Sequence, residues 1–185
     1  MRKDIDVPGK LTGPVLLSAA IVSAAIFCAN TGNVWATPAV GFTTTTIMSG
    51  PLGEIDILSK PIIPDSSEND RTAKAWLSLQ KTTGPSDLYV QSNVWQPGGS
   101  TGWHTHPGHS LIIVAAGTVT EYVGPDLDCK PHVYTHGETF LDPHGGHAHI
   151  IRNEGDAVAR TIAVQLIPAG AARRVDSADP GNCHF

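Results

Sequence analysis

The sequence lacks the features that mark several large classes of protein. It has no cluster of Lys and Arg, and its 12 basic residues are outnumbered by 17 acidic ones, so the formal net charge is −5. This balance argues against nucleic-acid binding, which depends on positive charge. Helical periodicity is nearly absent, and no internal repeat is visible apart from two histidine-rich motifs. We therefore expect one domain of short strands and turns.

Cysteine is also scarce, with three residues in a chain of 185. Cys28 lies within the first 36 residues, so the rest of the chain holds only Cys129 and Cys183. An even number of cysteines in a short exported domain predicts a disulfide, the alternative being two free thiols. The bond would tie the C-terminal tail to the domain and stabilise the fold by about 4 kcal/mol.

A long apolar run occurs only near the N terminus. Residues 11–29 are almost uncharged, follow a basic start, and precede the small residues Val34 and Ala36. This pattern predicts a signal peptide over residues 1–36, cleaved after Ala36, and a periplasmic or secreted domain over residues 37–185. The alternative is an uncleaved membrane anchor, since about 20 apolar residues span a bilayer.

Histidine is abundant in one region, because eight of the nine histidines lie between His104 and His149. His104 and His106 are two residues apart, and so are His147 and His149. On a strand the two side chains of each pair point to the same face. Imidazole nitrogens placed in this way can bind one metal ion at about 2.0–2.1 Å. The two pairs therefore predict a divalent-metal site inside a barrel.

These residues resemble the two sequence motifs of the cupin superfamily. The matching positions are Gly98, His104, His106 and Gly117 in the first motif, and Gly137, Pro143, Gly145, His149 and Asn153 in the second. The resemblance implies an all-β fold, a single cupin-type barrel (a double-stranded β-helix or jelly roll), and a metal held by His104, His106 and His149. One extra residue separates Gly145 from His149, which makes His147 a candidate for a fourth ligand.

The sequence departs from the family at the usual glutamate ligand of the first motif, where it has Ser110. We interpret Ser110 as a packing residue. A site of imidazoles alone suits Fe, Zn, Cu or Ni better than Mn, which prefers oxygen ligands. Metal affinity should then fall below about pH 6.5, where an ordinary histidine takes up a proton.

The resemblance specifies the fold more closely than the function, because one fold hosts many chemistries. An all-histidine site is similar to that of three-histidine cupin dioxygenases, which implies an oxygenase-type metalloenzyme acting on a small organic molecule. The alternatives are a non-catalytic cupin that binds a small ligand or a metal, and a structural domain with a vestigial site. Homodimerisation is left open.

Several other residues near the motifs are candidates for supporting roles. Tyr122, Glu138 and Asp142 are the polar candidates for a general acid or base, although Asp142 precedes Pro143 and fits a turn better. Trp95 and Trp103 flank the first motif and either line an apolar pocket or belong to the core.

Strands are predicted from alternating or continuous apolar patterns. The continuous run 110–116 predicts a strand buried on both faces, joined at Gly117 to strand 118–123 in a hairpin. The other predicted strands cover residues 42–48, 54–58, 87–96, 133–134, 138–141, 147–153 and 157–167.

Overall fold

The computed structural model describes residues 36–60, 76–142 and 146–185. The predicted signal segment up to residue 35 with Cys28, residues 61–75, and Pro143 and Gly145 of the second motif lie outside the described residues. In the part of the chain that is described, no helix is long and apolar enough to cross a membrane.

The described residues form strands and no helix, as the sequence predicts. The strands are β1 (Val40–Gly53), β2 (Asp56–Ser59), β3 (Ser78–Lys81), β4 (Ser86–Ser100), β5 (His104–Thr105), β6 (His109–Ala116), β7 (Thr118–Val123), β8 (His132–Thr135), β9 (Thr139–Asp142), β10 (His149–Arg152), β11 (Ala159–Pro168) and β12 (Val175–Asp176).

Ten of these strands form one antiparallel sheet that curls into a nearly closed barrel, while β2 and β3 pair separately. One side of the barrel consists of β1, β4, β11, β6 and β9 in this order, and we call it the five-stranded wall. Opposite it lie β12, β5, β10, β7 and β8. The end of β4 joins the two sides, where Ser100 pairs with Arg152. The all-β jelly-roll prediction is confirmed.

The predicted hairpin between β6 and β7 is wrong. Strand β6 pairs with β11 and β9, whereas β7 pairs with β10 and β8. Gly117 between them has a φ of 67°, and a Cβ at this position would lie 2.8 Å from the carbonyl oxygen of Val158. The tight corner therefore requires glycine, and it carries the chain from the wall to the opposite side of the barrel.

Strand β6 is buried on one face only, contrary to the prediction from its apolar run. Ile112 and Val114 point into the barrel and are buried, whereas Leu111 is 55% exposed and Ile113 is 44% exposed. The side chains alternate because successive residues of a strand point to opposite faces.

Two hydrophobic clusters hold the barrel together. The larger lies between the wall and the opposite side and consists of Trp95, Ile112, Val114, Val119, Phe140, Ile151, Ala159 and Ala163. The smaller one contains Trp103, Tyr122 and Cys183. The predicted disulfide between Cys129 and Cys183 is present, with the two Cα atoms 5.3 Å apart, and it attaches the C-terminal tail to this cluster.

Candidate metal centre

The structure brings together three of the four histidines that the sequence predicts as ligands. His104 begins β5, His149 begins β10, and the two residues are direct partners in the strand register. His106 follows β5. The ring nitrogens that these three residues can offer a metal lie within 4.8 Å of one another. The predicted convergence is therefore present, and metal binding by these residues stays a prediction.

Each of the three rings is held through its Nδ1 atom. His104 Nδ1 lies 2.9 Å from the Gly102 carbonyl oxygen, and His106 Nδ1 lies 2.6 Å from that of Arg173. His149 Nδ1 lies 2.9 Å from Glu121 Oε1. In the neutral rings these acceptors select the tautomer with a proton on Nδ1. The Nε2 atoms are then available as lone-pair donors.

The spacing of two of these Nε2 atoms fits a shared cation. The Nε2 atoms of His104 and His149 are 3.1 Å apart. Two nitrogens bound to one metal at about 2.1 Å lie about 3.0–3.4 Å apart in octahedral or tetrahedral geometry. A cation between the two atoms would accept a lone pair from each of them. The donor set therefore fits a transition-metal ion.

Burial favours the neutral form of His104 and His106. It lowers the pKa of His104 far below its ordinary value of 6.5, and the nearby His149 and Arg174 lower it further. Burial likewise lowers the pKa of His106, although its hydrogen bond to the Arg173 carbonyl works in the opposite direction. Only a neutral imidazole can ligate a metal, so both rings stay competent below pH 6.5. The sequence-based expectation that metal is lost below about pH 6.5 assumed histidines with an ordinary pKa. The lowered pKa values of His104 and His106 correct that expectation.

Asp142 is at the site, which corrects its interpretation as a turn residue. It ends β9, is 2% exposed, and places Oδ2 3.2 Å from His106 Nε2 and 3.6 Å from His149 Nε2. Its register partner in β6 is Ser110, which occupies the position of the usual cupin glutamate. A carboxylate is thus supplied by the neighbouring strand. The preference against Mn rested on a site without a carboxylate, and that reason no longer holds.

Glu121 is a functional candidate that sequence reasoning missed. It lies in β7, is 5% exposed, and accepts the hydrogen bond from His149 Nδ1. A carboxylate behind a ligating histidine orients the ring and raises its basicity. Residues 119–122 of β7 are all buried, so no alternation in the sequence marks Glu121 as facing the site.

Three other predicted residues lie away from the histidine group. His147 is exposed and precedes β10, so the argument that it shares strand parity with His149 does not apply, and it is not a member of the group. Glu138 bonds the backbone and hydroxyl of Thr135. The Tyr122 hydroxyl donates to Glu154, and its ring belongs to the smaller cluster.

A cavity of about 160 Å³ opens beside the histidines inside the barrel. Its apolar lining includes Trp95 as the sequence suggested, whereas Trp103 is a core residue of the smaller cluster. The residues around it are Phe42, Thr44, Gln91, Asn93, Trp95, Thr101, His104, His106, Ser110, Ile112, Asp142, His149, Ile151, Thr161, Ala163, Gln165, Arg173 and Arg174. An engineered apolar cavity of about 150 Å³ binds benzene, so the volume suits a molecule of about six non-hydrogen atoms.

Polar side chains of the wall form a connected row on one side of this cavity. Thr44 donates to Gln91 Oε1, Gln91 donates to Gln165 Oε1, and Gln165 donates to the Arg173 carbonyl that also holds His106. Gln165 is 1% exposed, so this buried amide is kept in place by bonds on both of its ends. The row links the wall to the orientation of His106.

Two arginines give the cavity a positive side. Arg174 donates to the Thr101 carbonyl and pairs with Asp176, and Arg173 donates to Thr46 and lies over the ring of Tyr89. Both charges lower the pKa of His106, which shows that their fields reach the site. A metal at the histidines would add to this positive potential.

Comparison with known proteins identifies the family. Residues 94–165, which include both histidine motifs, match the family model described as a cupin domain, Cupin_2. No curated protein matches the chain in sequence.

Several solved structures are similar to the chain, all with low sequence identity. A cupin-2 domain protein from Rhodospirillum rubrum has 13% identity and a TM-score of 0.47, with 77% of this chain and 69% of that one covered. A double-stranded β-helix protein from Klebsiella pneumoniae has 19% identity and a TM-score of 0.41, with coverages of 49% and 74%. The polyketide cyclase RemF from Streptomyces resistomycificus has 23% identity and a TM-score of 0.41, with coverages of 50% and 64%.

The family match covers the strands that carry His104, His106 and His149, and the jelly-roll topology agrees with it. The chain therefore contains a domain of the cupin superfamily.

Proposed function

We propose that this cupin binds one divalent transition-metal ion through His104, His106 and His149 and acts on a small organic anion as an oxygenase-type metalloenzyme. The observation that carries the metal assignment is the convergence of the three rings, with the Nε2 atoms of His104 and His149 3.1 Å apart and each ring held from behind by an acceptor at Nδ1.

The number of ligands favours an enzyme over a metal store. Among the described residues three histidines converge and His147 lies elsewhere, so a metal with four to six positions keeps some for substrate. When bound, such an ion supplies Lewis-acid and redox chemistry, and in a dioxygenation both oxygen atoms of O₂ enter the organic molecule. With only the three histidines as ligands, the side of the metal that faces the cavity would be open to that molecule.

Asp142 is the group that we assign to the fourth position or to proton transfer. Its carboxylate is buried, with Oδ2 3.2 Å from His106 Nε2. As a ligand it would supply an oxygen donor. As a general base it would take a proton from a substrate beside the metal, which requires the same proximity. The variant Asp142→Asn separates these roles: a ligand role predicts weaker metal binding, and a base role predicts unchanged metal binding with a loss of turnover.

The expected substrate is a small organic acid. A carboxylate can approach the positive site beside Arg173 and Arg174, while a short carbon body packs against Trp95 and Ile112. The cavity of about 160 Å³ limits this body to a few carbon atoms. Arg173 and Arg174 act here by charge and by hydrogen bonding to the anion.

The disulfide between Cys129 and Cys183 supports an exported protein, because such bonds persist in oxidising compartments. The signal peptide and its cleavage after Ala36 stay predictions. N-terminal sequencing of the protein recovered from the producing cells tests both.

Metal analysis of protein purified without a histidine tag or a nickel column tests the metal assignment. We expect one metal ion per chain, its loss in His149→Ala, and its retention in the matched control His147→Ala. Equal metal content in both variants would contradict the assignment. The same analysis identifies the metal.

Ligand binding is tested on the metal-loaded protein by calorimetry with propionate and, as the neutral comparison, propionamide. Propionate should bind more tightly, and Arg173→Gln should weaken it, while Arg160→Gln on the outer surface of β11 should not. Equal binding of the acid and the amide would contradict the choice of an anion and leave the metal assignment intact. Oxygen consumption with short carboxylic acids then separates an oxygenase from a binding protein.

A further inference from the structure

The C-terminal tail, residues 169–185, runs beside the segment that carries two of the candidate metal ligands. Its short strand β12 pairs with β5, so that Asp176 lies opposite His104. The next residue, Ser177, donates its backbone N–H to the carbonyl oxygen of Trp103 at 2.9 Å. The backbone that carries His104 is therefore hydrogen-bonded to the tail.

The same tail holds the ring of His106. The carbonyl oxygen of Arg173 lies 2.6 Å from His106 Nδ1 and accepts a second hydrogen bond from Gln165 Nε2 at 3.1 Å. In the neutral ring this carbonyl selects the tautomer with a proton on Nδ1, so the lone pair of Nε2 is available to a metal. The acceptor behind His149 is the side chain of Glu121, whereas the acceptor behind His106 is backbone of the tail. The position of the tail therefore sets the tautomer and orientation of one ligand.

Little apolar burial holds the tail in place. Val175 of β12 is 52% exposed, and the terminal Phe185 is 56% exposed. Among the buried residues of the two hydrophobic clusters, Cys183 is the only one that comes from the tail. It lies in the same cluster as Trp103, the residue directly before His104. Because the tail buries so little, its anchoring depends on the region around Cys183.

The disulfide with Cys129 fastens this end of the tail to the barrel. Beside it, Asn182 donates hydrogen bonds to the carbonyl oxygens of Val123 and Asp126. Hydrogen bonds near a chain end open easily, since the last residues of a chain fray unless they are tied down. The covalent bond keeps the tail attached when those hydrogen bonds open.

We propose that the disulfide-anchored tail positions His104 and His106 for the metal, so that metal affinity depends on whether Cys129 and Cys183 are joined. The proposal rests on the metal site of the proposed function and assigns a positioning role to residues outside that site. Without the disulfide, the tail separates more often from β5, and the Arg173 carbonyl leaves His106 Nδ1. The ring then samples both tautomers and several orientations. Metal binding must order it again, which lowers the affinity.

Competition with a fluorescent chelator tests the effect on Zn²⁺ affinity. In the double variant Cys129→Ala and Cys183→Ala the dissociation constant should rise about 10- to 100-fold, the usual effect of losing the support behind a metal ligand. The matched control is Val119→Ala, which weakens the larger hydrophobic cluster and leaves the tail contacts in place. Circular dichroism establishes that each variant is folded. The affinity of the folded state does not follow overall stability, so the control should bind Zn²⁺ as wild type does.

Nitrogen-15 NMR of the histidine rings in the metal-free protein tests the positioning step itself, because it shows which ring nitrogen carries the proton. His106 should carry its proton on Nδ1 in wild type and should be a mixture of both tautomers in the double variant. His149 is the internal control, since Glu121 holds it and the tail does not. Its proton should stay on Nδ1 in both proteins. A general loss of stability would not separate the two histidines in this way.

Unchanged Zn²⁺ affinity in the folded double variant, or a His106 ring that keeps its single tautomer there, would overturn the proposal. If the double variant does not fold, Ser177→Pro takes its place, because proline keeps the disulfide and removes the N–H bonded to the Trp103 carbonyl. It should raise the dissociation constant for Zn²⁺, and wild-type affinity in this variant would equally overturn the proposal.

Failure of the metal assignment is a separate outcome. It would appear as wild-type protein that binds no Zn²⁺, or that binds Zn²⁺ equally well after His149→Ala. The NMR comparison is made without metal, so it decides in either case whether the tail holds His106.

Discussion

The two surfaces of the five-stranded wall differ in the polar groups that they carry beside their apolar residues. The inner surface presents Gln91, Asn93 and Gln165 to the cavity, while the outer surface presents Val90, Val164 and Leu111. Residues adjacent in sequence thus alternate between an interior polar group and an exterior apolar group. Whether a side chain at these positions is polar therefore depends on what it contacts, and not on how deeply it is buried.

The difference has a physical reason on both sides. Buried amides cost stability unless they are hydrogen-bonded, and the row from Thr44 through Gln91 and Gln165 meets that requirement with contacts of 3.1 Å. Exposed leucines on the outer surface leave apolar area in contact with water. The inner surface thus holds its polar groups in hydrogen bonds, whereas the outer surface exposes apolar side chains.

The largest expected effect is on the core that supports the inner surface. Trp95 is 1% exposed, and its ring lies 4.9 Å from that of Phe42. Trp95→Ala should lower the free energy of unfolding by about 3–5 kcal/mol, because it removes buried contacts and leaves a cavity. Urea unfolding of the metal-free protein measures this. A loss below about 1 kcal/mol would mean that the cavity wall is loosely packed.

The carboxylate behind His149 should affect metal binding next most strongly. Glu121→Gln keeps the shape of the side chain and removes the charge behind His149 Nδ1, so metal affinity should fall about 10- to 100-fold. Competition with a fluorescent chelator measures the affinity. Glu154→Gln is the matched control, since Glu154 bonds Tyr122 outside the site. Equal affinity in the Glu121 variant and wild type would remove Glu121 from the metal centre.

Acid should destabilise the metal-free protein through the buried histidines. The folded state lowers the pKa of His104 and His106, so below about pH 6.5 the unfolded chain binds more protons than the folded one. Stability is therefore complete above that pH and falls as pH decreases, by at most about 1.4 kcal/mol per pH unit for each histidine.

Urea unfolding between about pH 7 and pH 5 measures this slope. Bound metal should persist below pH 6.5, since protons compete weakly for rings whose pKa is lowered. A stability that does not change over this range would show that the histidines are solvated.

The smallest expected effect is on the outer surface of the wall. Leu141→Ala should change the free energy of unfolding by less than about 0.5 kcal/mol, because the side chain is mostly in water. Urea unfolding measures this change. A large loss of stability would indicate that Leu141 is covered by another part of the chain.

Much of the site was predictable because its signal is local. His104 and His106 lie on one short segment, and the motif position of His149 placed it opposite them, as the register confirms. The disulfide followed from counting the cysteines that remain after the N-terminal segment. Asp142 could also have been predicted as a site residue. It lies two residues after the buried Phe140 on one strand, so the two side chains point to the same face, and only the following proline suggested a turn.

The pairing of strands was not predictable from neighbouring residues. A hairpin between β6 and β7 is locally reasonable, but β6 gains two partners within the wall and β7 gains two on the opposite side. A jelly roll separates consecutive strands in this way, and the contacts that stabilise it join residues far apart in sequence. Glu121 and Arg173 reach the histidines only through such contacts.

The sequence by itself determined the strand-forming segments, the cupin motifs, the three histidines and the pair of cysteines, because strand periodicity and residue spacing act over a few neighbouring residues. The tertiary structure alone decided which carboxylate faces the histidines, which tautomer their rings adopt, and which surface of the wall stays apolar in contact with solvent. These properties depend on burial and on hydrogen bonds between distant strands, and both arise only when the barrel closes.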